Sequence, residues 1–75
     1  MRTEDQVAPP TMFPKGTVLR HVRTQVDYYI LLSPACGLLF EETCTPAYAY
    51  QKLVGGTIWV RSAEEMEDGR FIPVI

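Results

Sequence analysis

Aromatic rings and fixed cations alternate along two short stretches of this chain, Tyr48, Tyr50 and Lys52 in the first and Trp59 and Arg61 in the second. Flat π-faces stack planar groups, and an adjacent Arg or Lys neutralises a phosphate or carboxylate. That chemistry requires all of these side chains on one surface. Between the stretches lies Gly55-Gly56, which can adopt the positive φ of a two-residue hairpin turn. Such a turn pairs Val54 with Thr57, Leu53 with Ile58, Lys52 with Trp59, Gln51 with Val60 and Tyr50 with Arg61. One face then carries Ala49, Leu53, Ile58 and Val60, a set suited to an interior. The other carries Tyr48, Tyr50, Lys52, Trp59 and Arg61 and is expected to point outward as a ligand-binding face. A plainer reading makes Lys52 over Trp59 and Arg61 over Tyr50 ordinary cross-strand cation–π pairs, each worth about 0.5–1 kcal/mol. Arg20 and His21, in the locally basic Leu19-Arg20-His21-Val22-Arg23, are further candidates for meeting an anion.

Other chemistries find little support. The single His and the two serines, Ser33 and Ser62, do not form a visible nucleophile and base, so no catalytic residue is assigned and an enzyme is not expected. Glu41 and Glu42 would point to opposite faces of an extended chain, which is poor geometry for paired carboxylates. Glu64, Glu65, Glu67 and Asp68 lack the ordered spacing of a calcium loop and read as a solvated helix face. No metal or other cofactor is expected. Cys36 and Cys44 belong to no CxxC or Cys/His quartet and read as reduced thiols serving as small apolar side chains; the sharper alternative is a redox pair closing the loop from Gly37 to Thr43.

Several elements must position these residues. The chain has 75 residues, 47% of them hydrophobic and 21% charged, enough for one modest core and unlike the composition of disorder. Pro9, Pro10 and Pro14 mark residues 1–15 as a flexible arm, leaving 16–75 as the folded domain. Thr17 to Val22, Val26 to Leu32, Glu42 to Val54 and Thr57 to Arg61 have strand character, with a bulge or edge position at Pro46. Tyr28, Ile30 and Leu32 would face one side and Tyr29 and Leu31 the other. Ser62-Ala63-Glu64-Glu65 has the form of a capping box, so one helical turn precedes a last strand beginning at Phe71. Five short strands with one helical turn before the last predict an all-β, SH3-like barrel, with an OB-like barrel as the alternative.

With these residues placed, the chain resembles a family of small bacterial and phage proteins, domain-of-unknown-function family 1653. The likeness lies in Leu19-Arg20-His21, the Glu41-Glu42 region, Tyr50 with Leu53, Trp59-Val60-Arg61, Met66 and Phe71, and spans roughly Gly16 to Val74. Ser62 stands where the family's pattern has proline, and Glu67 where it has phenylalanine. The resemblance implies a small SH3-like barrel and brings no established activity.

The formal charge of −2 lowers the expectation of nucleic-acid binding, which depends on excess Lys and Arg. No apolar run is long enough for a secretion signal or a membrane span, so a cytoplasmic location without membrane contact is expected. The apolar residues on both faces of the second strand predict a homo-oligomer. The functional expectation is a binding module holding a planar anionic, nucleotide-like ligand, one version being a phage-encoded sponge for host defence signals. The alternatives are a module or phage inhibitor that binds a host protein complex, and a nucleic-acid-binding barrel.

Overall fold

The computed structural model describes residues 12–74. Five antiparallel strands, β1 (Val18–His21), β2 (Asp27–Leu32), β3 (Ala47–Lys52), β4 (Ile58–Ser62) and β5 (Phe71–Pro73), form one sheet in the order β4-β3-β2-β1-β5. A 3-10 turn, Pro34–Cys36, follows β2, and one helical turn, α1 (Ala63–Met66), connects β4 to β5.

The sheet is open, which corrects the expected closed barrel. β4 and β5 lie at its two edges with three strands between them. The physical reason lies in their lengths and in what fills the space between them. β5 has only three residues and ends at Pro73, which has no backbone donor for a further ladder. Met66 of α1 and Phe13 fill the hollow that closure would have narrowed, both joining the core.

The core occupies one side of the curved sheet. Leu19, Ile30, Tyr48, Tyr50 and Phe71 project there with Met66 and Phe13, and all are buried. Fully burying each aliphatic or aromatic side chain contributes about 1.5–3 kcal/mol. The rings of Tyr28, Tyr50 and Phe71 meet edge to face, with centroids 5.2 to 6.0 Å apart, the arrangement their quadrupoles favour. Phe13 falls in the segment expected to be an arm, yet it is buried beside Tyr48; the rest of that expectation lies mostly outside the described residues.

Local elements follow the sequence closely at the helical turn and less so elsewhere. The Ser62 hydroxyl accepts from the Glu65 amide at 3.2 Å, as a capping box requires, while the Glu65 carboxylate turns to Arg61 instead of the cap amide. A β-bulge between Ile30 and Leu32 moves Leu32 to the face opposite Ile30, paired with Ala49, so the strict alternation expected for β2 fails at its end. The third extended stretch pairs only from Ala47 onward, with Leu39 bridging to Pro46 ahead of it. Both cysteines are free thiols at exposed positions, so neither acts as the small packed side chain expected of it.

Tyr48 links three segments. Its hydroxyl donates to the Glu67 carboxylate just after α1 and accepts from the Phe13 amide at 3.3 Å. Burial, reinforced by the Glu67 hydrogen bond, pushes the phenol up to about 12. The folded chain thus holds this proton at a pH where an ordinary phenol near 10.0 has begun to release it. Stability should therefore fall as pH rises from about 10 to about 12. In Tyr48→Phe, urea unfolding should show a loss of about 1–3 kcal/mol, because the Phe13 amide and the Glu67 carboxylate lose their shared partner, and much of this alkaline decline should vanish.

Candidate functional site

The hairpin joining β3 and β4 sets the geometry of the site. Gln51 pairs with Ile58, Tyr50 with Trp59, Ala49 with Val60 and Tyr48 with Arg61. This register is two residues away from that of a Gly55-Gly56 turn, because Leu53 to Thr57 form a longer loop. Gly55 and Gly56 have φ of +89° and +117°, and the Gly55 amide donates to the Lys52 carbonyl at 2.9 Å. The Gln51 side-chain amide donates to the Gly56 carbonyl at 2.6 Å and braces the loop from inside.

A two-residue slip preserves side-chain parity. Tyr48, Tyr50, Lys52, Trp59 and Arg61 therefore share a face, but that face points into the core and not away from it. Tyr48 is wholly buried and Tyr50 nearly so. Ile58 and Val60, expected inside, are 56% and 52% exposed on the opposite face. The inversion follows from the partners of β3: Ile30 and Leu19 lie on the Tyr50 side of the sheet, and Met66 covers Tyr48.

Because β4 is an edge strand, its inward-facing residues reach the rim of the core. Trp59 is 51% exposed, while Arg61 is partly covered and leans over Tyr50. There the open cleft, of about 220 Å³, is lined by His21, Thr24, Tyr28, Tyr50, Trp59, Arg61 and Phe71. The floor is aromatic. Arg61 Nε donates to the Tyr50 hydroxyl at 3.2 Å, and Arg61 Nη1 approaches Glu65 at 3.4 Å. The second contact is long, and the Glu65 side chain is half exposed, so water weakens it.

His21 enters this cleft from the end of β1, where the β1–β2 turn begins. The turn is closed by the Gln25 amide donating to the His21 carbonyl at 2.8 Å, and Gln25 adopts a left-handed φ of +63°. His21 Nδ1 accepts from the amides of Arg23 and Thr24 at 3.2 and 3.4 Å, and its ring meets Phe71 edge-on. In that arrangement the neutral imidazole carries its proton on Nε2.

The remaining candidates lie elsewhere. Tyr48 is spent in the core. Lys52 lies outside this cleft but lines an adjoining hollow with Gly55, Gly56, Thr57 and Trp59, so it stays near Trp59. Arg20 projects from the opposite face of the sheet, where it grips Asp27 through Nε at 2.8 Å and Nη2 at 3.3 Å. This bidentate pair raises the Arg20 guanidinium and lowers the Asp27 carboxyl from their ordinary values, chiefly through the shared hydrogen bond. Tyr28, Phe71 and Thr24 were missed as cleft residues. The alternation of β2 does place Tyr28 beside Ile30, but only the β1–β5 pairing brings Phe71 next to His21.

A larger hollow of about 420 Å³ lies nearby, lined by His21, Val22, Arg23, Asp68, Gly69 and Arg70. Asp68 holds Arg70 Nε at 3.0 Å and Nη2 at 2.8 Å, which neutralises that cation. No group of three or more metal-ligating side chains occurs among the described residues, and no helix among them is long and apolar enough to cross a membrane.

No protein-family model, no curated protein and no solved structure matches the chain. The resemblance to family 1653 thus gains no support from comparison. No relative links the chain to nucleotide binding, to a phage or to anti-defence, so those expectations gain no support.

The sidedness of β3 and β4 has a direct consequence for stability. Tyr50→Ala should cost about 3–5 kcal/mol in urea unfolding, as large-to-small changes of buried aromatics do. Trp59→Ala, at the rim, should cost about 1 kcal/mol or less.

Proposed function

We propose that this protein is a non-enzymatic binding module whose concave cleft holds a single flat group bearing a negative charge. One observation supports the reading above all: Trp59, Tyr28, Tyr50, Phe71, Arg61 and His21 converge on one open cleft at the sheet's edge. The half-exposed indole offers a stacking face, the other rings make an apolar floor, and the guanidinium supplies the counter-charge.

Size narrows the ligand. About 220 Å³ is below the roughly 300–1,000 Å³ of pockets that enclose drug-sized molecules, so the cleft suits one ring and one anionic substituent. Glu65 currently shares Arg61 through a long, exposed contact. A carboxylate that stacks its ring on Trp59 gives Arg61 a closer partner and releases Glu65 to water.

Catalysis is not part of this reading, and two of the polar groups lining the cleft are already engaged by neighbours. His21 Nδ1 holds its own turn, and the Tyr50 hydroxyl accepts from Arg61. Outside the cleft, Ser33 is buried against Cys36 and the Ser62 hydroxyl caps α1.

Calorimetric titration with benzoate, indole-3-carboxylate and inorganic phosphate tests the proposal. The two ring carboxylates should bind and phosphate should not. Arg61→Gln should weaken the ring carboxylates about tenfold or more, the usual loss of a charge-assisted hydrogen bond. Trp59→Ala should weaken them as well. Absence of heat from all three probes, or tight binding of phosphate alone, overturns the reading.

A further inference from the structure

The open edge of β4 is chemically unlike the other edge of the sheet. Edge strands present unpaired backbone groups, and proteins blunt them with proline, bulges, short length or inward-pointing charge. β5 uses two of these devices, having three residues and ending at Pro73. β4 has five residues, Ile58-Trp59-Val60-Arg61-Ser62, with no proline and no bulge in its pairing with β3. Its outward faces are apolar, since Ile58, Trp59 and Val60 are all about half exposed.

The backbone groups facing outward can be identified. The Ala63 amide donates to the Pro46 carbonyl at 2.9 Å. Hydrogen-bonded pairs alternate along an antiparallel ladder, so Arg61 with Tyr48 and Trp59 with Tyr50 are also bonded pairs. The amides and carbonyls of Ile58 and Val60 and the amide of Ser62 therefore point away from β3, toward the open edge, while the Ser62 carbonyl, as the cap of α1, serves the first helical bond.

We infer that this edge pairs with the same edge of a second copy of the chain, antiparallel about a two-fold axis at Val60. The partner is argued from self-complementarity. With Val60 opposite the partner's Val60, the two exchange amide and carbonyl, and the outward Ser62 amide meets the partner's Ile58 carbonyl. The pairs between them set Trp59 beside the partner's Arg61 on the concave face, in reach of a cation–π contact. Sliding the strands by two residues one way opposes Trp59 to the partner's Trp59. Sliding them the other way opposes Arg61 to the partner's Arg61, and like charges directly opposed are unfavourable. The second slip also shortens the ladder. On the convex face the central register joins Ile58 and Val60 of each copy into one continuous apolar strip. The sheet then runs continuously through both copies, and each Trp59 gains a cation from its partner. The backbone ladder does not rest on the proposed ligand, although Trp59 and Arg61 belong to both the pairing and the cleft.

Sedimentation of the full chain across micromolar to millimolar concentrations should show twice the single-chain mass, with Val60→Pro reduced to a single chain. Proline at this position removes only an edge-facing amide, so β4 keeps its bonds to β3 and the far-ultraviolet spectrum should be unchanged. Should Val60→Pro unfold, Val60→Lys serves as the second variant, placing a charge on the pairing edge. Amide exchange in the wild-type chain gives an independent reading. At Val60 and Ser62 it should slow about tenfold or more from dilute to concentrated solution. At Trp59 and Arg61, already bonded to β3, it should change far less. A wild-type chain that stays single throughout, a folded Val60 variant that still doubles its mass, or edge amides indifferent to concentration would each overturn the inference.

Discussion

The hydroxyl of Tyr48 is the polar group around which this small core is arranged. A phenol oxygen far from water must find partners within the protein, since leaving it unsatisfied costs about 1–3 kcal/mol. Here the Phe13 amide and the Glu67 carboxylate supply them, joining the segment before β1, the middle of β3 and the end of α1. Once Tyr48 points inward, the alternation of β3 turns Tyr50 inward with it, and pairing with β4 turns Trp59 and Arg61 the same way. The edge position of β4 then decides the outcome for each residue. Tyr48 and Tyr50 are enclosed, while Trp59, with no strand beyond it, emerges at the rim.

What the sequence made legible was grouping, and what it left open was direction. A period of two, together with a glycine-rich reversal, suffices to place Tyr48, Tyr50, Lys52, Trp59 and Arg61 on one face, even when the loop is longer than supposed. Which face turns inward depends on volume and on distant partners. Aliphatic Ile58 and Val60 look like interior residues by hydropathy, yet the tyrosines bring more area to bury and find Glu67, the Phe13 amide and Phe71 to meet their rings and hydroxyls. Neither α1's return over β3 nor the pairing of β5 with β1 has a local signature.

The same division holds for smaller features. The Ser62 cap was readable because its partner is three residues away, whereas the bulge after Ile30 was not, because it arises from pairing with Ala49. Closure was misjudged because strand number alone does not close a sheet; the lengths of the edge strands and the bulk between them also matter. Of the cleft, Tyr50, Trp59, Arg61 and His21 were recognisable from residue type. Tyr28 and Phe71 enter it through tertiary pairing, and Arg20 is excluded because it alternates with Leu19 and His21 onto the opposite face, where Asp27 holds its guanidinium.

An open sheet thus places the aromatic cleft where the core meets its own edge, and aromatic packing below holds Trp59 and Arg61 in place. Photochemically induced nuclear polarisation, which marks solvent-accessible Trp and Tyr rings, tests this arrangement most directly. Trp59 should be strongly polarised while Tyr48 and Tyr50 stay silent. Polarised Tyr48 or Tyr50, or a silent Trp59 in dilute protein, would contradict it.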